Sequence, residues 1–226
     1  MKKVLSLLLC AALVTGCGMS KTGSGALIGS GAGAALGAGI GYLIGGDGKA
    51  AAIGAAIGTA VGGGTGAIIG KQMDKKAEEL AKLENARVEK VTDINGLPAL
   101  KVTFDNGILF DFNKSSLKDV AKAELDQFVV DLADMAETNL TVYGHTDNVG
   151  SEAANARVSN ARAEAVSKYL QSKGIDKDRL TAQGLGFNYP VGDNATEEGR
   201  AQNRRVEIYI SANEEMVKEA EAGTLN

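Results

Sequence analysis

Glycine recurs at every fourth position through the first third of this chain, and no other feature restricts its folding so tightly. Gly25, Gly29, Gly33, Gly37, Gly41 and Gly45 make one array, and Gly54, Gly58, Gly62, Gly66 and Gly70 a second. Residues four apart share one face of an α-helix, so each array lays a flat stripe along a helix where a second backbone can come close. Ala, Ile and Leu fill the gaps, where a flexible linker would carry Ser. Between the arrays, Gly45-Gly46-Asp47-Gly48-Lys49 supplies a turn signal and the segment's only charges. The pattern predicts a helical hairpin over residues 25–70. Each arm has about 20 uncharged residues, the length that crosses a hydrocarbon core. Gly and Ala drive insertion weakly, so insertion, packing on a membrane and self-association into a homo-oligomer all stay open. Gly46-x-Gly48-x-x-Ala51 partly matches a phosphate-binding loop, but no strand precedes it and no βαβ unit surrounds it.

Ahead of the arrays, Lys2 and Lys3 followed by the apolar run Val4 to Val14 have the form of a secretory leader, too short to span a bilayer. The run ends in Val14-Thr15-Gly16-Cys17, which resembles a bacterial lipobox. That resemblance implies a signal peptide over 1–16, a diacylglycerol-modified Cys17 and a lipidated N-terminus over 17–24. Gly18, rather than Asp, follows Cys17, which by the same resemblance implies transport to the outer membrane. Cys10 would leave with the leader, so the mature chain would have no disulfide.

Nearly all the charge lies after residue 70. Residues 71–91 are charged and helix-favouring, with Met73, Ala77, Leu80, Leu83 and Val91 loosely periodic, and read as a linker helix. A globular domain follows over 92–212. Asn95-Gly96 with Pro98 marks a turn, and Leu100, Val102 and Phe104 alternate as a half-buried strand. A further extended stretch spans Ile108 to Phe112. Ser116 to Asp119 resembles a helix start, and Leu117, Ala121, Leu125, Phe128, Leu132 and Met135 make an amphipathic stripe behind it. Strands are expected at Leu140–Gly144, Leu180–Gly186 and Arg204–Ser211. Helices are expected at Glu152–Ser172, with Ala154, Val158, Ala161, Ala165 and Tyr169 buried, and at Thr196–Gln202. Residues 213–226 read as a mobile polar tail. The expected fold is α/β, an α+β sandwich with helices packed on a mixed four-stranded sheet.

The charged residues with a specific pattern sit at one strand-to-helix junction. Gly144-His145-Thr146-Asp147-Asn148-Val149-Gly150 is followed by Asn155, Ser159, Arg162 and Ala163. This puts a carboxylate at the end of a strand and a guanidinium fifteen residues on, in the next helix. The pair suits a small zwitterion, because a carboxylate accepts an ammonium's protons and a planar guanidinium takes a carboxylate through two parallel bonds.

With Gly184 and Gly199-Arg200-x-x-Asn203-Arg204-Arg205-Val206-Glu207, these residues resemble the OmpA-like peptidoglycan-binding domain (the OmpA/Pal family) over about residues 101–210. Val158 departs conservatively from the family's Leu. The glycine arrays are similar to the glycine-zipper segments that precede such domains. The resemblance implies that Asp147 and Arg162 read the amino-acid end of diaminopimelate in peptidoglycan stem peptides. It also implies that Asn113 and Asn155 hydrogen-bond in the groove, that Arg205 lies near the peptide's carboxylates, and that Thr146 and Asn148 bind the peptide too, with backbone groups around Asn148–Gly150 contributing.

His145 is the sole histidine and has no nucleophile with an elbow motif to serve, while one His with scattered acids offers no metal spacing. Neither enzyme activity, a cofactor nor a metal is expected. A formal charge of -4 gives no footprint for nucleic acid. The reading is an outer-membrane lipoprotein whose periplasmic domain grips the wall noncovalently. The alternative makes the glycine hairpin the active part, a membrane-inserted oligomer or pore for which wall binding is only an anchor.

Overall fold

A computed structural model describes residues 63–111 and 114–225. The leader, the lipobox with Cys17, nearly all of the glycine hairpin, and Phe112 and Asn113 lie outside the described residues. The described chain runs α1 (Gly63–Leu80), β1 (Ala86–Thr92), β2 (Pro98–Asp105), α2 (Asn106–Leu109), α3 (Asp119–Asp131), β3 (Thr138–His145), α4 (Glu152–Ser172), β4 (Leu180–Gly186), α5 (Glu197–Asn203), β5 (Arg205–Ala212) and α6 (Glu214–Ala222). The strands form one sheet in the order β1-β2-β5-β3-β4. Its neighbours are antiparallel except β3 and β4, which α4 joins as a parallel crossover.

Alternation along the central strands decides the core. Leu100, Val102 and Phe104 on β2, Leu140 and Val142 on β3, and Val206, Ile208 and Ile210 on β5 face one side, each fully buried. Against them pack Ala121, Leu125, Phe128, Leu132 and Met135, the stripe expected from the sequence. Phe104 and Phe128 meet edge to face, 6.0 Å between centroids at 86°, a geometry worth about 1 kcal/mol beyond area burial.

Four expectations need correction. The linker helix expected over 71–91 is instead the second half of α1, which starts inside the glycine array and ends at Leu80; residues 86–92 are the sheet's fifth strand. That strand hides in the sequence because it is an edge. Arg87, Glu89 and Lys90 stay exposed there, and charge of this kind keeps an edge from pairing with other chains. α1 is no spacer either: Ile69, Met73, Ala77 and Leu80 belong to the main core. Its Lys76 is 3% exposed, held by Glu79, the Asp131 carbonyl at 2.5 Å and Asp134 at 2.6 Å.

The tail expected to be mobile holds a helix. Asn213 caps α6 by accepting from the amides of Glu215 and Met216, Gly223 closes it in the left-handed conformation, and Met216 and Ala220 are buried. The stretch before Asp111 is the single helical turn α2 rather than a strand, with Phe110 bridging to Leu117. Finally, the buried stripe of α4 is not the expected one but lies one position further along the helix. Asn155, Ser159, Arg162, Ala163, Val166 and Leu170 face inward, while Ala161 is exposed.

Candidate functional site

The inward turn of α4's polar residues has a steric cause. A Cβ on Gly144 would lie 2.1 Å from the Ser159 carbonyl oxygen, and one on Gly184 would lie 2.2 Å from the Asn160 amide nitrogen. Only glycine on β3 and β4 lets the helix backbone settle so close to the sheet. At that separation no large apolar side chain fits beneath the helix's first two turns. Ser159 fills the space and accepts a hydrogen bond from the Gly186 amide at 3.0 Å. Arg162, almost three turns into α4, is thereby carried to the edge of the core.

A groove of about 770 Å³ opens there, lined by Asp147 and Arg162 together with Asn106, Phe110, Thr146, Val149, Asn155, Glu197, Arg200 and Arg204. Asp147 ends β3's extension; its Oδ1 accepts from the Val149 amide at 3.0 Å, and its Oδ2 accepts from Arg204 at 2.7 Å. Asn155 donates to the Val149 carbonyl at 3.0 Å and so braces the same loop. Thr146 is 5% exposed and its hydroxyl has no hydrogen-bond partner, while its backbone amide donates to Gly186. Asn148 is exposed, its amide near Asn194 Oδ1 at 3.3 Å, and its side chain is not among the groove-lining groups.

Arg162 is only 5% exposed. Its Nε donates to the Lys114 carbonyl at 3.1 Å, and its guanidinium stands 5.4 Å from the centre of the Phe110 ring. With the Asn106 amide oxygen turned toward it, Arg162 also donates to Asn106 at 2.9 and 3.3 Å. These partners are neutral: among the described residues, no carboxylate forms an ion pair with Arg162. Burial, then the nearby charge of Arg204, lowers its pKa, and Asp147 opposes them. A guanidinium held dry and without an anion is poised to accept one.

Two neighbouring arginines part company here. Arg205 does not reach the groove, contrary to expectation, because β5 begins at this residue and alternation turns Arg205, Glu207 and Tyr209 to the sheet's other face. There Arg205 pairs with Glu207 at 2.7 Å and donates to the Tyr189 carbonyl at 3.1 Å. Tyr209 donates to Glu207 at 3.1 Å. His145 faces the same cluster, its Nε2 3.5 Å from Glu207. Burial lowers the His145 pKa. Burial alone would raise Glu207, but His145 and the charge of Arg205 outweigh it and hold the carboxyl at about 2.

Arg204, not singled out from the sequence, takes the groove position. Its NH1 reaches Asp147 and its NH2 reaches Glu197 at 2.9 Å. The hydrogen bond to Asp147, above all, raises its pKa. Strand alternation would have found it, since Val206, Ile208 and Ile210 point to the helix side and position 204 shares that parity. Asn106 had no comparable signal. Its place depends on the chain turning into α2 directly after β2, where its amide donates to the Arg204 carbonyl at 3.0 Å.

A sheet with helices on one side, and an acid, two arginines and a braced loop at one end of that face, define an α/β domain built to present charge in a groove. Residues 109–204 match the OmpA family, and residues 1–74 match the YMGG-like Gly-zipper. The chain carries an OmpA-family domain behind a glycine-zipper segment. It is 44% identical over 112 residues to "Outer membrane protein A" of Bordetella avium, covering 50% of this chain and 58% of that one. It is 39% identical over 106 residues to "Probable lipoprotein YiaD" of Escherichia coli (strain K12), covering 47% of this chain and 48% of that one. The chain thus spans about half the length of these relatives. Among solved structures, "The structure of the cell wall anchor of the T6SS from Pseudomonas aeruginosa" superposes with a TM-score of 0.52 at 30% identity, covering 62% of this chain and 97% of that one.

Proposed function

We propose that this protein is an outer-membrane lipoprotein that holds peptidoglycan noncovalently, its groove taking the amino-acid end of diaminopimelate. The observation that carries this reading is the buried Arg162, lacking an anionic partner and sharing a groove with Asp147. Arg162 takes the ligand's carboxylate through its paired N–H groups, and Asp147 Oδ2 takes the ammonium. Thr146 offers an unused hydroxyl beside them, and Asn155 keeps the Asp147 loop in place. Asn148 serves through its backbone, and Asn113 remains a proposed hydrogen-bonder. The OmpA-family match supports the reading, as do a relative named a probable lipoprotein and a neighbour titled a cell wall anchor.

Diaminopimelate ends in a zwitterion, whereas a lysine-type stem ends in a bare ammonium that leaves Arg162 unmatched. The detergent-solubilised full chain should therefore sediment with diaminopimelate-type sacculi and much less with lysine-type ones. Asp147→Ala or Arg162→Ala should reduce sedimentation at least about tenfold, as loss of a charge-assisted contact does. Wild-type retention by the double variant would sink the proposal.

A further inference from the structure

The two halves of the groove are not equally available. Arg162 has no anion, so a seat for a carboxylate stands open. Asp147 is committed: the Val149 amide holds Oδ1 and Arg204 holds Oδ2. An ammonium arriving at Asp147 finds Oδ2 already taken by a cation of the protein itself.

We propose that Arg204 is an internal competitor for the ammonium seat on Asp147, and that ligand engagement passes it to Glu197. The inference rests on the zwitterion reading above and says how that site is regulated. Three features of Arg204 fit the role. Its side chain is 32% exposed, so it has room to swing, unlike the buried Arg162. Its guanidinium already spans both acids, NH1 on Asp147 at 2.7 Å and NH2 on Glu197 at 2.9 Å, so leaving Asp147 breaks one bond and keeps the other. The receiving carboxylate is already oriented toward the groove arginines, because Arg200 holds the other Glu197 oxygen at 2.7 Å while donating to the Asn194 carbonyl at 3.0 Å. The competitor also stands near Arg162, and the two guanidiniums together attract carboxylates whether or not an amine accompanies them. Arg204 thus blunts the groove's preference for zwitterions over plain dicarboxylates.

The test uses two probes with one carbon skeleton: meso-diaminopimelate, and pimelate, which lacks both amines. Each is titrated calorimetrically into the full chain in detergent. Arg204→Gln should bind meso-diaminopimelate about three to ten times more tightly, the worth of releasing a partly exposed ion pair, and should bind pimelate no better than wild type. Glu197→Gln removes the receiver and should weaken meso-diaminopimelate about threefold. The double variant should behave like Arg204→Gln alone, a non-additivity that a merely structural role would not produce. If Arg204→Gln weakens both probes alike, Arg204 is a direct carboxylate holder and the competitor role is overturned. If Asp147→Asn leaves meso-diaminopimelate binding unchanged, or neither probe binds wild type, the zwitterion reading itself fails and takes the competitor with it.

Discussion

Arg204 and Arg205 differ by one position and end on opposite sides of the sheet, in surroundings whose charges are balanced differently. On the rear face Arg205 is matched: Glu207 answers its positive charge, Tyr209 and His145 approach the same carboxylate, and the Tyr189 carbonyl takes a further donor. On the groove face the balance is deliberately incomplete. Arg204 spans Asp147 and Glu197, whereas the more deeply buried Arg162 has only neutral acceptors. A cluster with its charges answered has little left for a ligand. One left a negative charge short has.

If this division is real, removing charge should affect the two faces in opposite ways. The largest effect on folding is expected from Arg205→Met, which strands the buried Glu207 carboxylate; breaking a buried pair costs about 3–5 kcal/mol. Denaturant unfolding should show that loss, while the folded fraction still sediments with sacculi. Loss of binding with full stability would put Arg205 back in the groove.

Acid should attack the rear face next. Glu207 titrates at about 2 in the fold against 4.5 unfolded, so the native state holds fewer protons between those values and stability falls as pH drops through them. His145, lowered by burial from 6.5, adds loss in the same direction below that pH. Unfolding free energy should decline by about 3 kcal/mol from Glu207 between roughly pH 5 and 2. Glu207→Gln should flatten that limb, and an unchanged profile would break the assignment.

The smallest stability change belongs to Arg162→Met. Loss of its bonds to Lys114 and Asn106 is offset by relief of a buried, anion-free cation, so unfolding should shift by no more than about 1 kcal/mol. Sacculus binding should nonetheless collapse. A large destabilisation would mean that Arg162 is a structural residue.

Much of this contrast was legible in the chain, and what was not has a physical reason. The α3 stripe and the span of β4 follow from periodicity, because their side chains obey simple in-out rules. α4 breaks the rule because Gly144 and Gly184 bring it so near the sheet that polar residues pack where apolar ones belong, and its hydrophobic pattern then points one residue astray. The edge strand β1 reads as helix because its exposed charges are there to discourage pairing. The short helix α6 buries only Met216 and Ala220 and reads as polar throughout, which is why the tail was expected to be mobile. Asp147 and Arg162 stood out by motif. The choice between Arg204 and Arg205 depended on where β5 begins, and a one-residue error at a strand end reverses every side chain.

α1 has a mechanical consequence. It starts within the second glycine array, and Ile69, beside the array's last glycine at Gly70, is already fully buried in the domain's core. A spacer of loose chain would act as an entropic spring, absorbing a pull by straightening before any load reached the domain. No such compliance exists between Gly63 and Leu80. Tension on a ligand held at Asp147 and Arg162 would pass through the sheet and Lys76's ion pairs into α1 as if through a rigid strut, so this segment would transmit displacement instead of damping it.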